Sequence, residues 1–203
     1  MTTLTEAPVQ VHDLIKERRS PLAYSERLVG SEELRSLLEA ARWAASSYNE
    51  QPWHFIVATK EDLREYERLL GSIVPANALW ARNAPVLMLS VAKLTYDSNG
   101  APNRHALHDV GQATANLAIQ ATALGLAVHQ MGGFDMERAR EEYRIPEGYE
   151  PVAAIAVGYP GNPASLPESL RARAGAPRTR RELGEFVFAG RWGKTSPTVE
   201  SAE

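Results

Sequence analysis

Residues 85–92, Pro-Val-Leu-Met-Leu-Ser-Val-Ala, form an apolar run interrupted only by Ser90. A strand with one wet face alternates apolar and polar side chains, so a run this continuous belongs to a strand covered on both faces. The chain must therefore place a layer on each side of a sheet, and the periodic segments around the run supply those layers. Val11, Leu14 and Ile15 mark a helix over residues 9–19, ended by Pro21, which disfavours α backbone at Ser20. Ser31 can cap a second helix, with Glu32 and Glu33 in its first turn and Leu34, Leu37, Leu38 and Ala41 as its apolar stripe, running to about Ala45. Further helices are predicted over residues 61–70, stopped by Gly71, over the alanine-rich stretch 105–124, stopped by Gly125, and over 136–144, capped by Asp135. Strands are predicted at 53–59, 126–131, 152–157 and 183–188. Some of the connections are too short for right-handed crossovers, which favours an α+β fold with a mixed central sheet flanked by helices.

The 203 residues are read as a single domain, with a core over 9–160, a C-terminal arm and strand over 161–193, and a disordered tail over 194–203. The stretch 161–182 is rich in proline and arginine and nearly aperiodic, the mark of an extended arm. A formal charge of −3 argues against a nucleic-acid protein, which carries a basic face. The absence of cysteine removes thiol nucleophiles, iron–sulfur clusters and cysteine-ligated zinc. Residues 1–8 lack a basic start followed by an apolar core, and no apolar run is long enough to span a membrane, so the expected location is cytoplasmic.

No G-x-G-x-x-G, P-loop or G-x-S-x-G motif is present. His105, His108 and Asp109 share a helical face, but a fourth ligand is missing unless His129 arrives from a strand, so no metal is expected. Two basic clusters remain, Arg18-Arg19-Ser20 and Arg178-Thr179-Arg180-Arg181. Arginine forks beside a hydroxyl suit a phosphate dianion, and they equally suit a solvated charge run.

The order of several short motifs goes further. Arg18-Arg19-Ser20 is followed by Leu37-Leu38-Glu39-Ala40-Ala41, by Ser46-Ser47-x-Asn49-x-Gln51-Pro52-Trp53, and by His108-Asp109-x-Gly111-x-Ala113 leading to Ala123-Leu124-Gly125-Leu126. Then come Gly132-Gly133, Gly158-Tyr159-Pro160 and a basic pair before a final apolar stretch. In this order, across residues 12–193, the chain resembles the FMN-dependent nitroreductase family. The resemblance implies a homodimer that binds FMN at the subunit interface and exchanges its C-terminal arms. It implies that Arg18, Arg19 and Ser20 hold the phosphate and the pyrimidine edge, and that Arg178 and Arg180 close on the phosphate. Met131, Gly132 and Gly133 would pass beside the flavin ring, while Ser46, Ser47, Asn49 and Gln51 would reach it from the partner subunit. Asn77 is set aside, because its spacing to the strand at 85 fits the family less well.

Two positions depart from the pattern. Leu22 stands where many members carry a lysine or arginine near the pyrimidine, and Ala45 stands where proline often precedes the serine pair. The resemblance implies an oxidoreductase that carries hydride from NADH or NADPH through FMN to a nitroaromatic, quinone or conjugated carbonyl acceptor. A flavin oxidase or dehydrogenase acting without nicotinamide, and a flavin-binding protein without turnover, remain open at this point. The chemistry belongs to the cofactor, so no acid–base residue is assigned, with Tyr48 and His54 at least as well explained by packing.

Overall fold

In the computed structural model, which describes residues 9–199, the apolar run becomes the strand β2 (Val86–Lys93) at the centre of a four-stranded sheet. Around it the chain forms α1 (Asp13–Glu17), α2 (Ser31–Arg42), β1 (Trp53–Thr59), α3 (Leu63–Leu70), α4 (Pro75–Ala81), α5 (Ala106–Ala123), β3 (Ala127–Met131), α6 (Met136–Tyr143), β4 (Tyr149–Gly158) and α7 (Glu168–Ala174). The strand order is β1-β2-β4-β3. All three ladders are antiparallel, with Trp53 opposite Ala92, Leu89 opposite Ala154 and Met131 also opposite Ala154. The expected mixed sheet is thus antiparallel throughout the described residues.

The alternation along β2 explains its composition. Leu87 and Leu89 point into a core with Tyr66, Leu69 and Trp80 from α3 and α4, while Val86 and Met88 point into a second core with Leu37 of α2 and Leu117 and Ala121 of α5. Each of the large apolar side chains among these contributes about 1.5–3 kcal/mol by leaving water, and the buried Ser90 of the same strand is accommodated because its Oγ donates to Ala153 O at 3.2 Å. The alanines of α5 let it lie close to α2, where Gln120 Nε2 donates to Ser36 Oγ at 3.0 Å.

Local signals set most boundaries. Asp62 accepts from Arg64 N and Glu65 N at 3.1 and 3.2 Å to start α3, and Asp135 accepts from Arg138 N at 3.0 Å to start α6. Ser31 does not cap α2. It is the first helical residue, and Glu33 Oε2 accepts from Gly30 N at 2.7 Å, so the helix starts through its own first-turn carboxylate and stops at Arg42. The first helix is only Asp13–Glu17, because the His12 ring accepts from Leu14 N at 3.2 Å and Arg18, at ψ 124°, already runs extended. Two helices have no sequence counterpart. Pro75 opens α4, where its missing N–H costs nothing, and α7 falls inside the stretch read as extended. Leu166 and Leu170 anchor that stretch in the first core.

The described residues fall into two compact units, 12–174 and a second formed by 9–11 with 175–199. In the second unit the strand expected at 183–188 is absent. Leu183–Glu185 is a 3₁₀ turn, and Phe188 meets Thr195 in a single bridge, with Gly190 and Gly193 at φ +77° and +80° turning the chain back. Ser196 N donates to Val187 O at 3.0 Å, so residues read as part of the tail take part in this unit. Residues 1–8 and 200–203, on which the leader reading and the end of the tail fall, lie outside the described residues. Among the described residues no helix is long and apolar enough to cross a membrane.

Candidate functional site

The first predicted cluster sits where α1 gives way to extended chain. Arg18 and Arg19 are half-buried, Ser20 is exposed, and Arg18 Nη1 donates to Ser20 Oγ at 3.2 Å. The next residues enter the first core, Leu22, Ala23 and Tyr24 all being buried. Leu22 is 3% exposed, so the position that carries a cation in the resembling family is here part of the packing. Behind the turn stands His129 of β3, whose Nδ1 lies 2.9 Å from the Pro21 carbonyl and whose ring centroid is 4.4 Å from that of Trp80. Burial pushes the His129 imidazole below its usual range, the Pro21 carbonyl it bonds pulls it part of the way back, the charges of Arg173 and then Arg18 push it down, and the Ser20 backbone adds a last upward pull. Arg173 of α7, which lies outside every motif in the sequence, therefore shares its electrostatic surroundings with Arg18.

Two residues further along the same strand edge lies the predicted ring-facing stretch. Met131 is buried and Gly132 is exposed, and a Cβ built on Gly132 would have no atom within 4 Å. Gly133 differs. Its carbonyl accepts from Val74 N and from Asn77 Nδ2, both at 3.2 Å, and a Cβ there would lie 2.4 Å from Asn77 Nδ2. One glycine presents open backbone and the other admits α4. Asn77, set aside on its spacing, is brought to the site by that helix.

Ser46, Ser47, Asn49 and Gln51 form the second predicted group. Tyr48, Asn49 and Gln51 all have left-handed backbone, at φ 54°, 57° and 50°. Such residues cost on the order of 1–3 kcal/mol each and persist only where the surroundings hold them. Here Ser47 N donates to Asp109 Oδ2 at 3.0 Å, Gln51 N donates to Ser46 Oγ at 3.0 Å, and Gln51 Nε2 donates to Asn49 O at 3.3 Å. The Glu50 carboxylate accepts from Asp97 N, and Ser47 Oγ and Tyr96 Oη lie 3.3 Å apart. Asp109, weighed in the sequence as a metal ligand, is a buried acceptor on α5 that ties down this loop. D109A should lower stability by about 2 kcal/mol, because Ser47 N–H loses a charged acceptor in a partly buried place. A urea midpoint equal to wild type would rule that out. Tyr48 is exposed, whereas the His54 ring packs edge-on to Tyr149.

The two groups do not converge within one chain. The loop 46–51 leads into β1, and Gly132 follows β3, strands at opposite edges of the sheet. Three ladders separate them, about 14 Å at ~4.8 Å each. Arg178 and Arg180 belong to the second unit, where Arg180 Nη1 donates to Thr179 O at 2.7 Å and Arg178 is half-buried.

The family model described as Nitroreductase family matches residues 15–78 and 72–159. A protein named "Putative NADH dehydrogenase/NAD(P)H nitroreductase" from Methanothermobacter thermautotrophicus is 30% identical over 162 residues, covering 77% of this chain and 81% of that one. Among solved structures, an oxidoreductase containing FMN superposes with a TM-score of 0.87 at 31% identity, covering 94% of this chain and 96% of the other. An FMN-dependent nitroreductase from Clostridium difficile R20291 superposes with a TM-score of 0.62 at 25% identity, covering 73% and 87%.

Proposed function

We propose that this chain, which belongs to the nitroreductase family, works as an FMN-dependent NAD(P)H oxidoreductase whose acceptor is a nitroaromatic, a quinone or a conjugated carbonyl compound. The observation that carries the reading is the β3 edge, where half-buried Arg18 and Arg19 and the Ser20 hydroxyl stand beside a strand that runs out into the open backbone of Gly132. The residues fit the cofactor. Cations and a hydroxyl suit a phosphate dianion, and backbone free of a side chain suits the approach of a flat ring. FMN, when bound, supplies two-electron chemistry, taking hydride from the nicotinamide and passing it to the acceptor.

In this reading Arg18, Arg19 and Ser20 hold the phosphate and the pyrimidine edge, and Arg178 and Arg180 are further phosphate ligands. Met131, Gly132 and Gly133 keep the backbone flat beside the ring. Ser46, Ser47, Asn49 and Gln51 serve a second copy of the chain. Their place at the opposite sheet edge supports a homodimer with sites at its interface. Because Leu22 is buried, the positive charge near the pyrimidine falls to Arg18.

The test is spectroscopic. Purified protein should be yellow, or take up added FMN, and should bleach on anaerobic addition of NADH or NADPH. Colourless protein that takes up no FMN would overturn the reading. Yellow protein bleached by neither donor would remove the nicotinamide and leave a flavin oxidase or a flavin-binding protein.

A further inference from the structure

Pro21 has no N–H, so its carbonyl is the one backbone group through which this residue itself can be tied. That carbonyl is taken by His129 Nδ1 at 2.9 Å, across 108 positions of sequence. A carbonyl only accepts, so Nδ1 carries the proton. We propose that His129 is a positioning residue for the phosphate end of the cofactor site, holding the Arg18–Ser20 turn against β3 through the Pro21 carbonyl. The proposal rests on FMN being the ligand of that turn.

On the N-terminal side the turn follows a short helix. The helix α1 that delivers it has five residues and buries none of them. On the C-terminal side the chain is clamped, with Gly161 N donating to Ala23 O and Ser25 N donating to Tyr159 O, both at 2.9 Å. The His129 bond lies between the clamp and the arginines. The ring itself is immobilised on Trp80, which is completely buried and stacks in turn on Tyr24. Arg18 and Arg173 are the cations that face the imidazole, and together with burial they keep it neutral near pH 7. A neutral ring with its proton on Nδ1 is directed at the backbone of the turn, at Pro21 and at Ser20, and adds no charge to the phosphate site. The same strand, two residues on, carries Met131 and the glycines, so His129 also fixes the distance between the phosphate end and the ring end.

Riboflavin, which lacks the phosphate, separates positioning of the turn from general packing. H129L should weaken FMN binding about tenfold, the scale of one lost hydrogen bond, while riboflavin, which keeps only the pyrimidine contact of the turn, should weaken by no more than about threefold. H129N, whose amide nitrogen stands close to the place of Nδ1, should restore FMN affinity to within about threefold of wild type. If H129L does not fold, H129Q serves instead, since its amide lies too far along the chain to replace Nδ1 and should weaken FMN binding more than riboflavin binding. Equal weakening of FMN and riboflavin, or no change in either, would overturn the proposal. Wild-type protein that binds neither flavin would instead overturn the FMN reading, and the proposal with it.

Discussion

A chain ending at Pro160 is expected to aggregate, and a chain ending at Ala174 to fold but to let FMN go. The first cut removes Leu166 and Leu170, 3% and 9% exposed in the core that also holds Leu22, Tyr24 and Trp80. At about 1.5–3 kcal/mol each, their loss takes ~3–6 kcal/mol from a domain that has only ~5–15 in total. The second cut keeps both leucines and α7 but discards Arg178 and Arg180. Two charge-assisted contacts to phosphate are worth about 3–6 kcal/mol together, a fall of roughly 10²- to 10⁴-fold in affinity. Light scattering and circular dichroism follow the first effect, and quenching of flavin fluorescence follows the second. If the chain ending at Ala174 binds FMN as tightly as the full chain, the arm holds no phosphate ligand.

R18A should weaken FMN binding about 10- to 150-fold without unfolding the protein, from the loss of one charge-assisted contact. R180A should fall in the same range. Arg173 lies outside every motif but is not a neutral control. Its charge acts on His129 together with that of Arg18, so R173A should weaken binding in the same direction by a smaller factor. Arg35, exposed on α2 on the other side of the sheet, is the better control. Equal titration curves for R18A and R35A would mean that the arginines of the first turn are only a solvated charge run.

The sheet and the long helices were legible because their signals are local. The run at 85–92 declares a strand covered on both faces, and Asp62, Asp135, Gly71 and Gly125 punctuate helices where the backbone needs them. The helices α4 and α7 span seven residues each, two turns, too few for a stripe to stand out from its background. The strand expected at 183–188 has the composition of a strand but meets only one bridging residue, Thr195 opposite Phe188. At the candidate site the arginine turn and the glycine pair were found through the order of motifs. His129, Asp109 and Asn77 were not assigned their roles, because each acts on a partner far away in sequence. The bond from His129 to Pro21 and the bond from Asn77 to Gly133 exist only once the sheet has formed.

Gly132 and Gly133 look alike in the sequence but answer to different pressures. A side chain at 133 would displace the Asn77 amide and press on Val74 whether or not any ligand is present, so packing alone disfavours it. A Cβ at 132 meets none of the described atoms within 4 Å, so in the proposed reading it is the bound cofactor that would object to one. In a lineage that ceased to hold the cofactor, position 132 would be free to drift while 133 stayed glycine. The pair thus works as a record of use, and comparing how the two positions vary among relatives would show which of them still carry the cofactor.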